Sequence, residues 1–415
     1  MLTACLLQLI TITALALADA SCPAEAELWM RQEDDAQLVD WVVRKGGFFS
    51  PSIAIHAGKL GRGIFATAPI KEGEEIVKVP VSLIIADSEV HPCLTVDQLR
   101  VELMRGTCSK FWPYIKSLQD VVMDMPNLWG AEDRALLDLG AADPGPDWTV
   151  HTVRYRECPS YGVGTPISDP FAMRALMLYV SRSGPLGMQP LFDIFNHGYN
   201  STQHYHDEAA GVHTFLAVRD HAPGEEIFNT FHSGAGAGRA ILKSMVSSGV
   251  SPEGAAEFFR DYGFVEPAPV KWVAAGGGGP IEFVIEDDAD PAGSVLPMAM
   301  MDEWDSLAAG MPLSETAIAH LRALRTAAES QLRTLAERRG KYRAAGLHCA
   351  AALLDARVVG VGAHGEQQQP GAVVAGAAAL CGPPTERQQL ALKYRAAYET
   401  ALTAAVTAAK RLLGE

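Results

Sequence analysis

The chain has 415 residues, 48% of them hydrophobic, which is room for two or three globular domains. Its 34 Lys and Arg stand against 49 Asp and Glu, for a formal charge of −15, and the longest basic run is "AERRGKYR". That balance excludes nucleic acid as a main partner, because phosphate binding needs clustered cations.

In chain order, the first stretch is "MLTACLLQLITITALALADA", which has no charge before Asp19. It is short for a membrane span, and it ends in small residues at alternate positions. This predicts a signal or targeting segment over residues 1–20, cleaved near "ALADA" although the positive n-region is missing. A buried or anchoring N-terminal helix is the alternative. Of seven cysteines, Cys5 would leave with this segment, and Cys22, Cys93, Cys108, Cys158, Cys349 and Cys381 remain. None forms a C-x-x-C pair, which argues against a zinc knuckle, and free buried thiols are expected in preference to a disulfide scaffold.

Residues 25–47 read as a helix with Leu28, Trp29, Leu38, Trp41 and Val42 on one face, stopped by Gly46-Gly47. Residues 61–86 alternate short apolar stretches with Gly, Pro and Glu-Gly turns, which predicts short strands. "IKEGEEIV" and "HAPGEEIF" share the same turn chemistry ahead of a strand. Between them lies a helical interval, roughly 94–183, with Thr95 as the first N-cap and Ser168 or Asp169 capping the last helix ahead of Pro170. Strands return from about 189 to 231. Beyond Phe264 come a glycine-rich turn, an acidic loop and Ala-rich helices, with Leu321, Leu324, Ala328, Leu332 and Leu335 on one stripe. A low-complexity segment separates these from a last helix opened by a Thr385/Gln388 capping box.

The stretch "LFDIFNHGYNSTQHYHDE", residues 191–208, admits three readings: a metal site, a glycosylation loop at Asn200, or a cofactor-binding turn. His197, His204, His206 and His213 are the metal candidates, but no H-E-x-x-H or paired-Cys spacing supports them, and no metal is expected.

Five stretches in order carry a resemblance: "GRGIFATAPIKEGEEIVKVP", "SKFWPYIKSL", "PLFDIFNHGYN", "PGEEIFNTF" and "RDYGFVE". Together they resemble the SET-domain lysine methyltransferases, in the branch of the Rubisco large-subunit N-methyltransferase, which also includes actin-histidine methyltransferases. The resemblance implies an α+β chain: a SET fold of short strands in small sheets with a helical insert, followed by an all-α C-terminal domain. The corresponding domains are residues 21–266, with the insert at about 94–183, and a substrate-binding-like domain at 280–415.

It also implies S-adenosylmethionine as cofactor and a lysine, or less readily a histidine, of a non-histone protein as methyl acceptor. The cofactor contacts carried over are Arg62, Gly63 and Ile64 in the first turn, then Arg182, Asp193, Asn196 and His197, then Tyr262, Gly263 and Phe264. The chemistry agrees: a glycine turn lets main chain approach a ligand, Arg suits a carboxylate, Asn and His offer both donors and acceptors, and aromatic rings flank an adenine or a sulfonium. The sequence departs from the family at Phe231, which stands where the family has a catalytic tyrosine. The rival reading is therefore a SET-fold pseudoenzyme that binds a protein partner. Either way the implied partner is a protein, bound by a monomer with no stable membrane insertion once the leader is removed. The leader predicts the secretory pathway or a plastid; a misassigned start codon would leave the protein cytoplasmic.

Overall fold

A computed structural model describes residues 34–86, 92–119, 121, 124–130, 133–134, 136–137, 158, 169–231, 239–249, 252–276, 279–304, 311–344 and 385–415. The leader, the low-complexity segment and His232 lie outside the described residues. Among the described residues no helix is long and apolar enough to cross a membrane. Contacts divide the chain into two compact units, one of residues 1–123 and 151–231, the other of 124–150 and 232–415.

The first unit opens with helix α1 (Asp34–Arg44), which buries Leu38, Trp41 and Val42 as its sequence pattern requires. It ends at Gly46, whose φ of 94° suits glycine. Strands β1 (Phe48–Phe49), β2 (Ile53–Gly58), β3 (Gly61–Ala66) and β4 (Glu75–Pro80) follow. β2 and β3 form a hairpin whose last pair is Gly58 opposite Gly61, and Gly61 has φ 97°.

The helical interval holds α2 (Pro92–Arg105), α3 (Trp112–Gln119) and α4 (Pro170–Arg182). Asp169 caps α4, accepting from the Phe171 N–H, and its carboxylate also receives Arg100. Thr95 is not an N-cap. It is buried inside α2, which already starts at Pro92, a residue suited to a first helical turn. The expectation of free thiols also changes here. Cys93 and Cys158 form a disulfide across 65 residues, and Cys108 is disulfide-bonded as well. Spacing alone cannot show which cysteines meet in space.

After α4 come the two-residue strands β5 (Ser183–Gly184), β6 (Gly187–Met188) and β7 (Asn196–His197), then β8 (Thr202–Asp207), β9 (Val212–Ala217) and β10 (Glu226–Asn229). Two four-stranded sheets result, ordered β1-β4-β9-β8 and β2-β3-β10-β7. Most pairs are antiparallel. The exception is β10 with β7, where Phe228 lies opposite Asn196 and Asn229 opposite His197 in parallel. Two segments about thirty residues apart are thereby drawn together at the edge of the second sheet.

The second unit contains α5 (Arg239–Ser247), α6 (Ala255–Tyr262), a sheet of β11 (Val270–Gly276), β12 (Gly279–Ile285) and β13 (Val295–Pro297), and the long helices α7 (Glu315–Ala344) and α8 (Glu386–Leu413). The stretch read as glycine turn and acidic loop is thus framed by a three-stranded sheet, and the expected helices begin at Glu315. Leu321, Leu324, Ala328 and Leu335 are buried on the predicted stripe, and Thr385 and Gln388 form the predicted capping box. The core is rich in aromatic rings: Phe259 stacks on Tyr394 at 4.7 Å between ring centroids, and Trp272 and Tyr398 flank it.

Candidate functional site

In the first unit, β3, β7 and β10 converge on one polar cluster. Asn196 donates its amide to Glu226 Oε1 at 2.7 Å and, more weakly, to the Arg62 carbonyl at 3.3 Å. Gly63 permits this. A Cβ at that position would lie 2.5 Å from Glu226 Oε1 and 2.8 Å from Asn196 Nδ2, so any side chain would displace the pair. The Arg62 guanidinium pairs with Asp35 of α1 at 3.1 Å. Ile64 is fully buried, cross-strand from Ile55 and Ile227. Its side chain therefore belongs to the core, and only its main chain lies near this cluster.

His197 is held differently. Its Nδ1 accepts the Phe231 N–H at 3.2 Å, which in a neutral ring places the proton on Nε2. The two rings stand 5.3 Å apart, with Tyr199 on another side of the imidazole at 5.0 Å. Parallel pairing of β7 with β10 makes this contact possible, so the Asn-His pair is tied to the end of the strand that leads to Phe231.

Arg182, at the end of α4, donates to the main-chain carbonyl of Asp193 at 2.7 Å and lies 3.6 Å from its carboxylate. Asp193 sits in a single 3-10 turn, residues 192–194, that follows Leu191. Leu191 has φ 68°, a left-handed conformation uncommon for a leucine, and it gives this turn its abrupt direction. The Asp193 side chain is fully buried, and neither carboxylate oxygen has a hydrogen-bond partner. Burial pushes its pKa up, while the charges of Arg182 and Arg62 oppose the rise.

Tyr262, Gly263 and Phe264 belong to the second unit. Gly263 closes α6 in the left-handed conformation, φ 77°, with its N–H on the Phe259 carbonyl. The Tyr262 and Phe264 rings are 6.0 Å apart, and Phe258 touches both. Burial, followed by the charges of Glu253 and Asp261, pushes the Tyr262 phenol well above its ordinary pKa.

Of the histidines read as metal candidates, His197, His204 and His213 contact protein groups, and His206 is exposed on β8. His213 Nε2 and His204 Nδ1 are 3.1 Å apart, and His213 Nδ1 contacts Gln189 Oε1. Burial, with the charges of His204 and His206, pushes His213 down to about 4. Among the described residues no group of three His, Cys, Asp or Glu side chains is placed to hold a metal ion. Asn200 is exposed, at φ 54°.

Two residues of the cluster escaped the sequence reading. Glu226 lies within the quoted "PGEEIFNTF", where it read as a turn charge, and Asp35 was not singled out. A carboxylate leading into a central strand was the available signal for Glu226.

No curated protein matches the chain. Among solved structures, it is similar to Rubisco LSMT bound to AdoMet, at 13% identity over 92% of this chain and 93% of that one, with a TM-score of 0.49. It is similar also to the SET domain of LSMT bound to lysine and AdoHcy, at 14% identity over 91% of each chain, with a TM-score of 0.48. The family model for the SET domain matches residues 61–232, the span from the start of β3 to just past Phe231. The polar cluster on Asn196, the His197–Phe231 contact and the buried Asp193 all fall inside that match, and the chain carries a SET domain.

Proposed function

We propose that this chain is an S-adenosylmethionine-dependent methyltransferase that modifies a lysine, and as second choice a histidine, of a non-histone protein. The observation that carries this is the position of the polar cluster within the SET match: Gly63, Asn196 and His197 with Arg182 and Asp193. The residues fit such a cofactor. Asp193 offers two buried acceptor oxygens without partners, suited to an ammonium group, and Arg182 supplies a cation for a carboxylate. The cofactor, when bound, supplies an electrophilic methyl group on a sulfonium.

The remaining work belongs to the chain. Arg62 and Gly63 present main chain at a turn; Asn196 is oriented by Glu226; His197 holds the Phe231 N–H and so sets the end of β10. Tyr262, Gly263 and Phe264, which belong to the second unit, are carried over as cofactor contacts by the resemblance alone. In-line transfer needs a neutral acceptor nitrogen at near-attack distance, so these residues serve by positioning. Phe231 lacks the hydroxyl of the family tyrosine. Loss of one preorganised donor costs about 2.7–4 kcal/mol, or about 10²–10³ in rate, which slows transfer without abolishing it.

Phe231 also supports the second reading, a catalytically silent SET fold that binds a protein partner through the helices after residue 280. The leader favours the secretory route or a plastid as the site of action. Adding S-adenosylmethionine to the purified protein tests the reading, since a ligand specific to the folded state must raise Tm. Transfer of labelled methyl to a lysate protein then separates enzyme from binder. A protein whose Tm ignores the cofactor is not this enzyme.

A further inference from the structure

Tyr114 has no part in the arrangement just described, yet it buries the chemistry that the arrangement lacks. It lies in α3 among Phe111, Trp112, Ile115 and Leu118, all buried. Its hydroxyl is fully buried and has no hydrogen-bond partner. A phenylalanine would fill the same volume without carrying a polar atom out of water, so packing alone does not account for the oxygen.

The groups whose charges bear on that phenol are Asp193 of the 3-10 turn, Arg182 of α4 and Arg62 of β3, and burial together with the Asp193 charge pushes its pKa well up. The same three side chains, seen from Asp193, leave one vacancy. Arg182 spends its short contact on the Asp193 main-chain oxygen, at 2.7 Å, and stands 3.6 Å from the carboxylate. Arg62 is engaged with Asp35. The carboxylate therefore has cations near it but no short hydrogen bond to them, while the buried phenol is the neutral donor that bears on it. A buried carboxylate in that condition is held ionised by a neighbouring donor or else takes up a proton.

We propose that Tyr114 is a positioning residue of the donor site, whose phenol donates to the Asp193 carboxylate and holds it ionised and aimed at a cationic amine of the bound ligand. This rests on the methyltransferase reading, in which that amine is the ammonium end of S-adenosylmethionine. An O–H···O⁻ pair in such dry surroundings is stronger than the same pair in water.

The test compares wild type, Tyr114→Phe and Asp193→Asn by calorimetry, with S-adenosylmethionine and with methylthioadenosine, which lacks the amino-acid end. Tyr114→Phe should weaken S-adenosylmethionine about tenfold or more and leave methylthioadenosine unchanged, and the acid limb of S-adenosylmethionine affinity should move to higher pH. A loosened core would instead weaken both ligands together. In the ligand-free protein, Tyr114→Phe and Asp193→Asn should be non-additive in stability, as expected of a bonded pair.

Wild-type affinity with an unmoved acid limb in Tyr114→Phe overturns the proposal, as does additivity. If the wild type binds no S-adenosylmethionine while the cycle stays non-additive, the methyl-donor reading falls and the Tyr114–Asp193 bond stands. Should Tyr114→Phe not fold, Asp193→Asn decides: the acid limb present in wild type must vanish in it, and its persistence refutes the role given to Asp193 and hence to Tyr114.

Discussion

Glu253 offers a quantitative test of the second unit. It precedes α6, and its carboxyl is raised from 4.5 to about 7, first by burial and then by the charges of Asp261 and Glu257, against the opposing charges of Arg260 and Lys271. The sign follows from proton counting. Below about pH 4.5 the carboxyl is protonated in both folded and unfolded chains and imposes no cost. Between there and about 7 the unfolded chain releases the proton while the folded chain retains it, so stability falls as pH rises, and it levels off above. A displacement of this size corresponds to about 3 kcal/mol at full extent, shared with the neighbouring carboxylates because they titrate together. Glu253→Gln keeps the shape and removes the charge. Urea unfolding followed by circular dichroism, which reads the long helices α7 and α8, should show wild type losing about 2–3 kcal/mol between pH 5 and 8 and the variant losing little. The variant should match wild type near pH 5 and exceed it near pH 8. Equal slopes for the two proteins would refute the assignment of the buried proton to this cluster.

Phe231→Tyr restores a hydroxyl at the end of β10 and should raise methyl transfer about 10²–10³, read by incorporation of labelled methyl; an unchanged rate would mean that residue 231 does not face the acceptor. Glu226→Ala removes the principal acceptor of the Asn196 amide and should lower stability by about 1.5 kcal/mol while reducing the Tm gain from S-adenosylmethionine. Gly63→Ala should reproduce that loss of binding, because its Cβ falls where the Glu226–Asn196 pair lies. Cys93→Ser opens a disulfide across 65 residues and should cost about 2–4 kcal/mol in denaturant unfolding under non-reducing conditions.

Much of the fold was legible along the chain. The α1 face, the Asp169-Pro170 start of α4, the stripe on α7 and the capping box of α8 are all local signals, set by periodicity and by residues within one turn of each other. Thr95 shows the limit of such signals: a good capping residue is only a cap where the helix begins, and α2 begins three residues earlier at Pro92. The sheet of residues 270–297 was hidden for a related reason, since its strands are recognisable only as partners of one another. The site divides in the same way. "PLFDIFNHGYN" pointed to Asn196, His197 and Asp193 only through a family resemblance, and "PGEEIFNTF" assigned Glu226 only to a turn.

By itself the sequence determined the classes of element, the excess of acidic over basic residues, and the order of motifs that marks a SET domain. These depend on spacing and composition, which a chain carries whether folded or not. Only the tertiary structure decided that Glu226 orients Asn196 across a space kept open by Gly63, that His197 holds the main chain of Phe231, and that the Tyr114 phenol and the Asp193 carboxylate are buried side by side. Each of these joins residues from 30 to about 160 positions apart. Their partners are chosen by strand pairing and by the exclusion of water, and neither quantity exists until the chain is folded.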